Sequence, residues 1–344
     1  MREFLLVVPD LVAAAASSYE ALADRADARL RFGVAQPLPR GWRSWVLGRI
    51  DRAAFEADSI AAVVAAAMGA SGETPPGGEL RPWLATALHF VPGLDTVHLP
   101  RHGILSLDPA DQEQLAAGFD VEWGRDGLAL RPAGPESFLL SGLDCGEPQT
   151  SDPLDCLGGD LAALQPAGDG ARELRRLMSE IEMWLHAHPV NVRRAMRGQP
   201  AVSTLWLWGG ATPERPATIV GTDDASDGPQ PDGSARWRVQ ADDAWTRAVA
   251  RLAGFDLVEG APQAPVGDSA DEPDQLIVAR RYAPDVQDLA AFEHRHLAAA
   301  LAALRDGTLR RLTIVTADRA IAVEAADRYR FWRPRRGWLT ALQA

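Results

Sequence analysis

Cysteine is scarce. Cys145 and Cys156 are the only two in 344 residues, too few for a disulfide framework, and neither belongs to a CxxC pair. Reduced thiols in a cytoplasmic protein are therefore the expectation. Long apolar runs are lacking as well: even the Ala-rich stretch around residues 60–70 falls short of the roughly 18 to 20 residues that cross a bilayer, so no membrane association is expected. Basic charge is in deficit, with 35 Lys+Arg against 47 Asp+Glu, a net charge of -12 and a pI near 5.1. Polyanion binding starts from a basic face, which argues against a nucleic-acid partner.

What is present is the composition of a folded globular chain, 47% hydrophobic and 24% charged. Its length suits one large α/β unit or two smaller lobes. The opening MREFLLVVPDLVAAAASS places Glu3, Pro9 and Asp10 within its apolar run. It reads as a buried strand at 3–8 and a helix over 11–30 rather than a signal peptide.

Further helices are expected at 51–68, at 108–117 with Asp108 as N-cap and Pro109 in the first turn, and at 171–187. The last has Leu174, Leu177, Met178, Ile181 and Leu185 on one stripe and is stopped by Pro189. Short strands are expected at 96–99, 103–107, 137–140, 204–208 and 217–220. The segment FDVEWGRDGLALRP reads as a hairpin around Gly124 and Gly127. A strand at 275–280, a helix at 285–304 and a strand at 311–316 form a β-α-β unit, which implies a parallel sheet. Residues 69–78, 223–234 and 260–273 read as loops. Residues 143–170 lose all periodicity and suggest a division into 1–142, a connecting loop at 143–170, and 171–344, with one compact unit as the alternative.

Chemistry concentrates in SEIEMWLHAHPVNVRRAMRGQPAVSTLWLWGGA, from Ser179. It joins a helix end, a polar elbow and a strand that runs into two glycines, which let backbone N–H groups approach a ligand. His188, Asn191, Arg194, Trp208, Gly209 and Gly210 are the candidate ligand-binding residues, because an amide and a guanidinium at an elbow suit a small anion. The plainer readings are internal capping and ion pairing for Asn191 and Arg194, and core packing for Trp206 and Trp208. His186 with His188, and His294 with His296, are spaced i, i+2, which turns them to different helix faces. Glu180 and Glu182 make no same-face carboxylate pair, although Glu180 and Trp184 can face the elbow together. Asp223 and Asp224 suit a loop, with a helix cap or a cation ligand pair as the alternatives.

The pattern E-x-x-x-x-L-H-x-H-P-x-N-x-x-R-x-x-x-G-x-P-x-x-x-x-x-W-x-W-G-G, read from Glu180 to Gly210, resembles the signature of the RpfE-type regulatory proteins of proteobacteria. Its N-x-x-R and W-x-W-G parts are also similar to a motif of archaeal-type cofactor-independent phosphoglycerate mutases. Asp95, Val97, His98 and Leu99 echo a second motif, W-L-R-A-D-P-V-H-L, whose first part is eroded. Ser203 stands for the usual Asn, and Ala211 for a third Gly. The resemblance implies a degenerate alkaline-phosphatase-like fold: a mostly parallel sheet flanked by helices, with an additional small β-containing lobe.

In that superfamily two metal ions and a Ser nucleophile transfer a phosphoryl group, which requires carboxylates and imidazoles to converge. Asp10, Asp285 and Asp318 are the remnant positions. The residue after Asp318 is Arg319 where the resemblance implies His, and Pro284 to Asp288 lack the Gly-His of another element. Arginine offers no lone pair and adds a fixed positive charge. The expectation is no metal centre and no cofactor, in a non-catalytic protein with a regulatory or small-anion-binding role. The alternatives are a phosphomutase or phosphatase with a reduced ligand set, and a scaffold that docks a protein partner through Arg328 to Arg336 with Phe331 and Trp332.

Overall fold

The computed structural model describes residues 2–11, 30, 33–50, 59–70, 81–94, 96–210, 237–258, 273–279, 289–324 and 326–327. The chain opens with β1 (Arg2–Val7), β2 (Val34–Pro37) and α1 (Gly41–Ile50), then α2 (Ile60–Ala70) and β3 (Trp83–Leu88). Two short strands, β4 (Val91–Pro92) and β5 (Val97–His98), precede α3 (Pro109–Trp123), β6 (Ala129–Gly134) and β7 (Ser137–Ser141). There follow α4 (Ala171–His186), α5 (Pro189–Met196), β8 (Thr204–Trp208), β9 (Trp237–Ala241), α6 (Ala244–Leu252), β10 (Asp256–Leu257) and β11 (Asp274–Val278). Last come α7 (Leu289–Phe292), a π turn (Glu293–Leu297), α8 (Ala298–Asp306), β12 (Leu309–Val315) and β13 (Arg319–Glu324).

These elements form two compact units built from non-contiguous segments. The first comprises Met1–Ala54, Ala225–Ala241 and Ala253–Ala344, and the second Phe55–Asp224 and Asp242–Leu252. The division at 143–170 suggested by composition is not where these units part: that segment lies wholly within the second.

The first unit is a mixed, mostly parallel sheet in the order β10-β9-β11-β1-β12-β13-β2. β1 runs parallel to both β11 and β12, with Leu6 opposite Ile277 and Ile314, so the first strand and the late β-α-β unit share one sheet as expected. Phe4, Leu5, Leu6 and Val7 are all fully buried. A central parallel strand covered on both faces reads as such an unbroken apolar run. Phe4, Leu6 and Val8 pack with Phe292, Leu297 and Leu304 on one face. Each fully buried side chain of this size contributes about 1.5–3 kcal/mol. β13 and β2 extend the sheet antiparallel at one edge.

The second unit is built on an antiparallel sheet, β6-β7-β3-β8. Its central strand β3, WLATAL, was not expected from the sequence; it is buried at every position and so shows no alternation. The expected hairpin in FDVEWGRDGLALRP is corrected. Phe119 and Trp123 are both buried, four apart, on α3, which runs past Ala117 to Trp123. A 3-10 turn (Gly124–Asp126) follows, and Gly127 takes the left-handed conformation with φ 81°. The real hairpin joins β6 to β7. Of the expected strand at 103–107 only a bridge from Ile104 to Leu88 forms. Residues 143–170 are a packed segment with two 3-10 turns and buried Leu157, Leu161 and Leu164.

The predicted helix at 11–30 lies outside the described residues except for its ends, as does the first part of the helix at 51–68. The strand at 217–220, Asp223, Asp224, Asp285 and the Arg328 to Arg336 cluster lie outside them altogether. Among the described residues no helix is long and apolar enough to cross a membrane.

Candidate functional site

The elbow begins where α4 ends. Leu174, Leu177, Met178, Ile181 and Leu185 bury one stripe of this helix. Pro189, which has no N–H to give, takes the first position of α5, and the side chain of His188 caps that helix. His188 Nδ1 accepts the Val190 N–H at 3.2 Å. Its ring lies 4.5 Å from that of Trp184, which meets Trp123 edge-on at 5.4 Å. Gly118 of α3 makes room for both: a Cβ there would sit 2.9 Å from His188 Nε2 and 3.1 Å from Trp184.

Asn191 and Arg194 are turned inward. Asn191 donates through Nδ2 to Leu185 O and Val202 O, each at 2.8 Å, and its Oδ1 accepts from Val202 N at 2.7 Å. Every hydrogen-bonding group of the amide side chain is thereby engaged, and the residue ties the end of α4 to the entry of β8. Arg194 is 4% exposed, donates from Nε to Pro200 O at 2.8 Å, and lies 3.6 Å from Asp111 Oδ2. Asp111 also takes Arg193 at 2.9 Å, while Arg197 reaches Asp108 at 3.4 Å, so three arginines of the elbow face two aspartates, one in the first turn of α3 and one at its N-cap.

Burial pulls the Arg194 guanidinium down from its ordinary value, and Asp111 opposes this. Burial also lowers His188, reinforced by Arg193 and opposed by Asp111.

The other half of the motif is committed as well. Trp208 donates from Nε1 to Thr86 Oγ1 at 2.8 Å, and Trp206 to Ser151 O at 3.2 Å. Gly209, with φ 71°, gives its N–H to Thr150 Oγ1 at 3.3 Å and its carbonyl to Ala61 N at 3.1 Å. Gly210 lies close against the Trp83 ring, where a Cβ would come within 2.4 Å. Val202 and Gly209 stand at opposite ends of β8, a span of up to about 23 Å at 3.3 Å per residue.

The anion cleft expected from His188, Asn191, Arg194, Trp208, Gly209 and Gly210 is therefore corrected. The first three form a clasp at one end of β8 and the last three pack its other end, with the Asn191 amide, the Arg194 Nε–H and the Trp208 indole N–H all spent on partners within the protein. Asp111 and Gly118 were missed in the sequence. Asp111 stands three residues after the N-cap Asp108, and Gly118 is a lone glycine inside a helix, a sign of close packing. Of the remaining candidates, Glu180 pairs with Arg176 at 3.7 Å, His186 is exposed, and His296 is buried beside Phe292.

The positions where the resemblance implies a two-metal centre lie in the first unit. Asp10 is fully buried beyond the end of β1. Asp318 and Arg319 follow β12 in a tight turn: Thr316 N donates to Arg319 O at 2.7 Å, Arg319 N to Thr316 Oγ1 at 3.2 Å, and Thr316 Oγ1 to Asp318 Oδ1 at 3.5 Å. The turn's carbonyls are taken too, Ala317 O by Trp42 N at 3.0 Å and Asp318 O by Leu38 N at 2.6 Å. Among the described residues no three His, Cys, Asp or Glu converge on one point. This turn, with a guanidinium in place of an imidazole, does not fit a dinuclear centre.

No family model matches the chain. A 2,3-bisphosphoglycerate-independent phosphoglycerate mutase of Methanosarcina barkeri (strain Fusaro / DSM 804) is 28% identical over 103 residues, 29% of this chain and 26% of that protein. The chain thus matches about a quarter of the length of this curated relative. Among solved structures, the PH0037 protein of Pyrococcus horikoshii is similar with a TM-score of 0.41 and 12% identity, over 94% of this chain and 87% of that one. The cofactor-independent phosphoglycerate mutase of Thermoplasma acidophilum DSM 1728 follows with a TM-score of 0.35 and 13% identity, over 94% and 89%. The similarity to cofactor-independent phosphoglycerate mutases is distant.

Proposed function

We propose that this chain is a divergent phosphoglycerate-mutase-like protein with a regulatory role of the RpfE type and no phosphoryl-transfer activity. The observation that carries this reading is the β12–β13 turn. Two-metal phosphoryl transfer needs side-chain lone pairs open toward two cations about 4 Å apart. At this strand end Arg319 contributes a permanent positive charge instead. The backbone around it is consumed by its own hairpin and by Leu38 and Trp42. The elbow motif adds support, since in this chain Asn191 and Arg194 hold α4, α5 and β8 together.

The test is an assay of the purified chain, supplied with Mn²⁺, Zn²⁺ or Co²⁺, for interconversion of 2- and 3-phosphoglycerate and for phosphatase turnover, alongside metal analysis of the protein as isolated. The expected result is background turnover, unchanged by chelator, with substoichiometric metal. Turnover that chelation abolishes, together with two bound cations, overturns the reading. The effector of a regulatory role is then sought by a thermal-shift screen of metabolites, in which a selective ligand stabilises by mass action.

A further inference from the structure

We propose that His188 makes the elbow between α4 and α5 a proton-operated latch, closed while the imidazole is neutral and opened when it takes up a proton. Nδ1 serves as the N-cap of α5 by accepting the Val190 N–H. An acceptor nitrogen carries no hydrogen, so the ring proton of the closed state is on Nε2. Protonation places a hydrogen on Nδ1, where N–H then confronts N–H and the cap is lost. The new charge also meets the positive end of the α5 macrodipole.

The ring has little room to turn away. Trp184 covers it at 4.5 Å, and Gly118 approaches so closely that even a methyl group there would press on Nε2. The charged groups acting on it are Arg193 from α5, which disfavours the cation, and Asp111 from α3, which favours it. Asp111 is shared already with Arg193 and Arg194. From α4 the contact is Trp184, which does not titrate.

The consequence reaches beyond one cap. α5 carries Asn191 and Arg194, so freeing its first turn loosens the bonds to Val202 and Pro200 that seat the entry of β8. Burial sets the folded ring below its ordinary value near 6.5. The closed state therefore binds fewer protons than the open one. Closure is complete above the ordinary value and weakens as pH falls through the window between that value and the lowered folded one.

Hydrogen–deuterium exchange of the full chain from pH 7.5 to 5.0, corrected for intrinsic exchange, reads the latch in peptides covering 189–202. The opening constant is expected to be flat above about pH 6.5 and to rise by up to about tenfold per pH unit below it, the limit for one proton. His188→Asn keeps a good N-cap that does not titrate, so its profile should be flat. Glu182, whose carboxyl is raised by burial, is unchanged in that variant and serves as a control. A flat wild-type profile, or an equally steep one in His188→Asn, overturns the proposal. Should His188→Asn fail to fold, NMR titration of the wild-type imidazoles decides. His188 must keep Nδ1 unprotonated at neutral pH and titrate below the ordinary imidazole value near 6.5; titration at or above that value overturns the latch.

Discussion

Asn191→Ala tests whether the elbow is a clasp or a binding site. The substitution removes three hydrogen bonds of 2.7–2.8 Å, two to Val202 and one to Leu185 O. Leu185 O keeps a partner in His188 N at 3.1 Å, but the Val202 N–H and carbonyl lose the partners that Asn191 gives them in a buried position. Each buried backbone group left unpaired costs about 1–3 kcal/mol, and water entering the vacated space recovers part of that. The expected loss is about 3 kcal/mol, which corresponds to more than a hundredfold in the unfolding constant. Urea denaturation followed by tryptophan fluorescence suits the measurement, because Trp206 and Trp208 lie on β8. The midpoint should fall with little change in slope. Because the chain has two units, exchange protection at 189–202 should be read alongside, so that an independent transition of the first unit is not mistaken for the effect. A loss below about 0.5 kcal/mol, the range of an ordinary surface change, would refute the clasp and return Asn191 to the list of ligand contacts.

Asp111→Asn should destabilise by about 3 kcal/mol in thermal or urea unfolding, since it leaves buried Arg194 without its counter-charge; an unchanged midpoint would count against the pairing. Gly118→Ala would ordinarily add about 1 kcal/mol of helix stability. Here it should lower stability by about 1–3 kcal/mol through overpacking against His188 and Trp184, and a gain would show that the contact relaxes freely. Burial pushes the Cys145 thiol up to about 11, so in Cys156→Ser the remaining thiol should resist an aromatic disulfide reagent at pH 8 until the chain is unfolded. Stoichiometric labelling of the native variant within minutes would contradict the burial.

The parts of the fold legible in the sequence were those specified by their own residues. The stripe of α4, the five residues of β8 and the Asp108 cap of α3 each carry a local signal, and each formed where expected. β3 was invisible because a six-residue strand buried on both faces has no period to detect, even though the Gly/Pro-rich run at 75–78 before it and Pro92-Gly93 after it are turn signals. The end of α3 misled because Asp120, Val121, Glu122 and Trp123 alternate like a strand, while the decisive pair, Phe119 and Trp123, is spaced for a helix. At the elbow the sequence displayed the right residues and concealed their partners. Asn191 meets Val202 eleven positions on, and Arg194 meets Asp111 across 83, contacts that only the tertiary structure supplies.

β1 sits at the heart of its sheet, yet the strands on either side of it come from the other end of the chain; Glu3 N meets Asp274 Oδ1 across 271 residues. On a ribosome adding roughly 5–20 residues per second, this apolar strand waits between about 15 seconds and a minute for β11 and β12 to emerge. Most of the second unit, by contrast, is synthesised within that interval. The nascent chain therefore holds this apolar strand unpaired until nearly all of this sequence has been made, and demand for a holding chaperone should fall on β1.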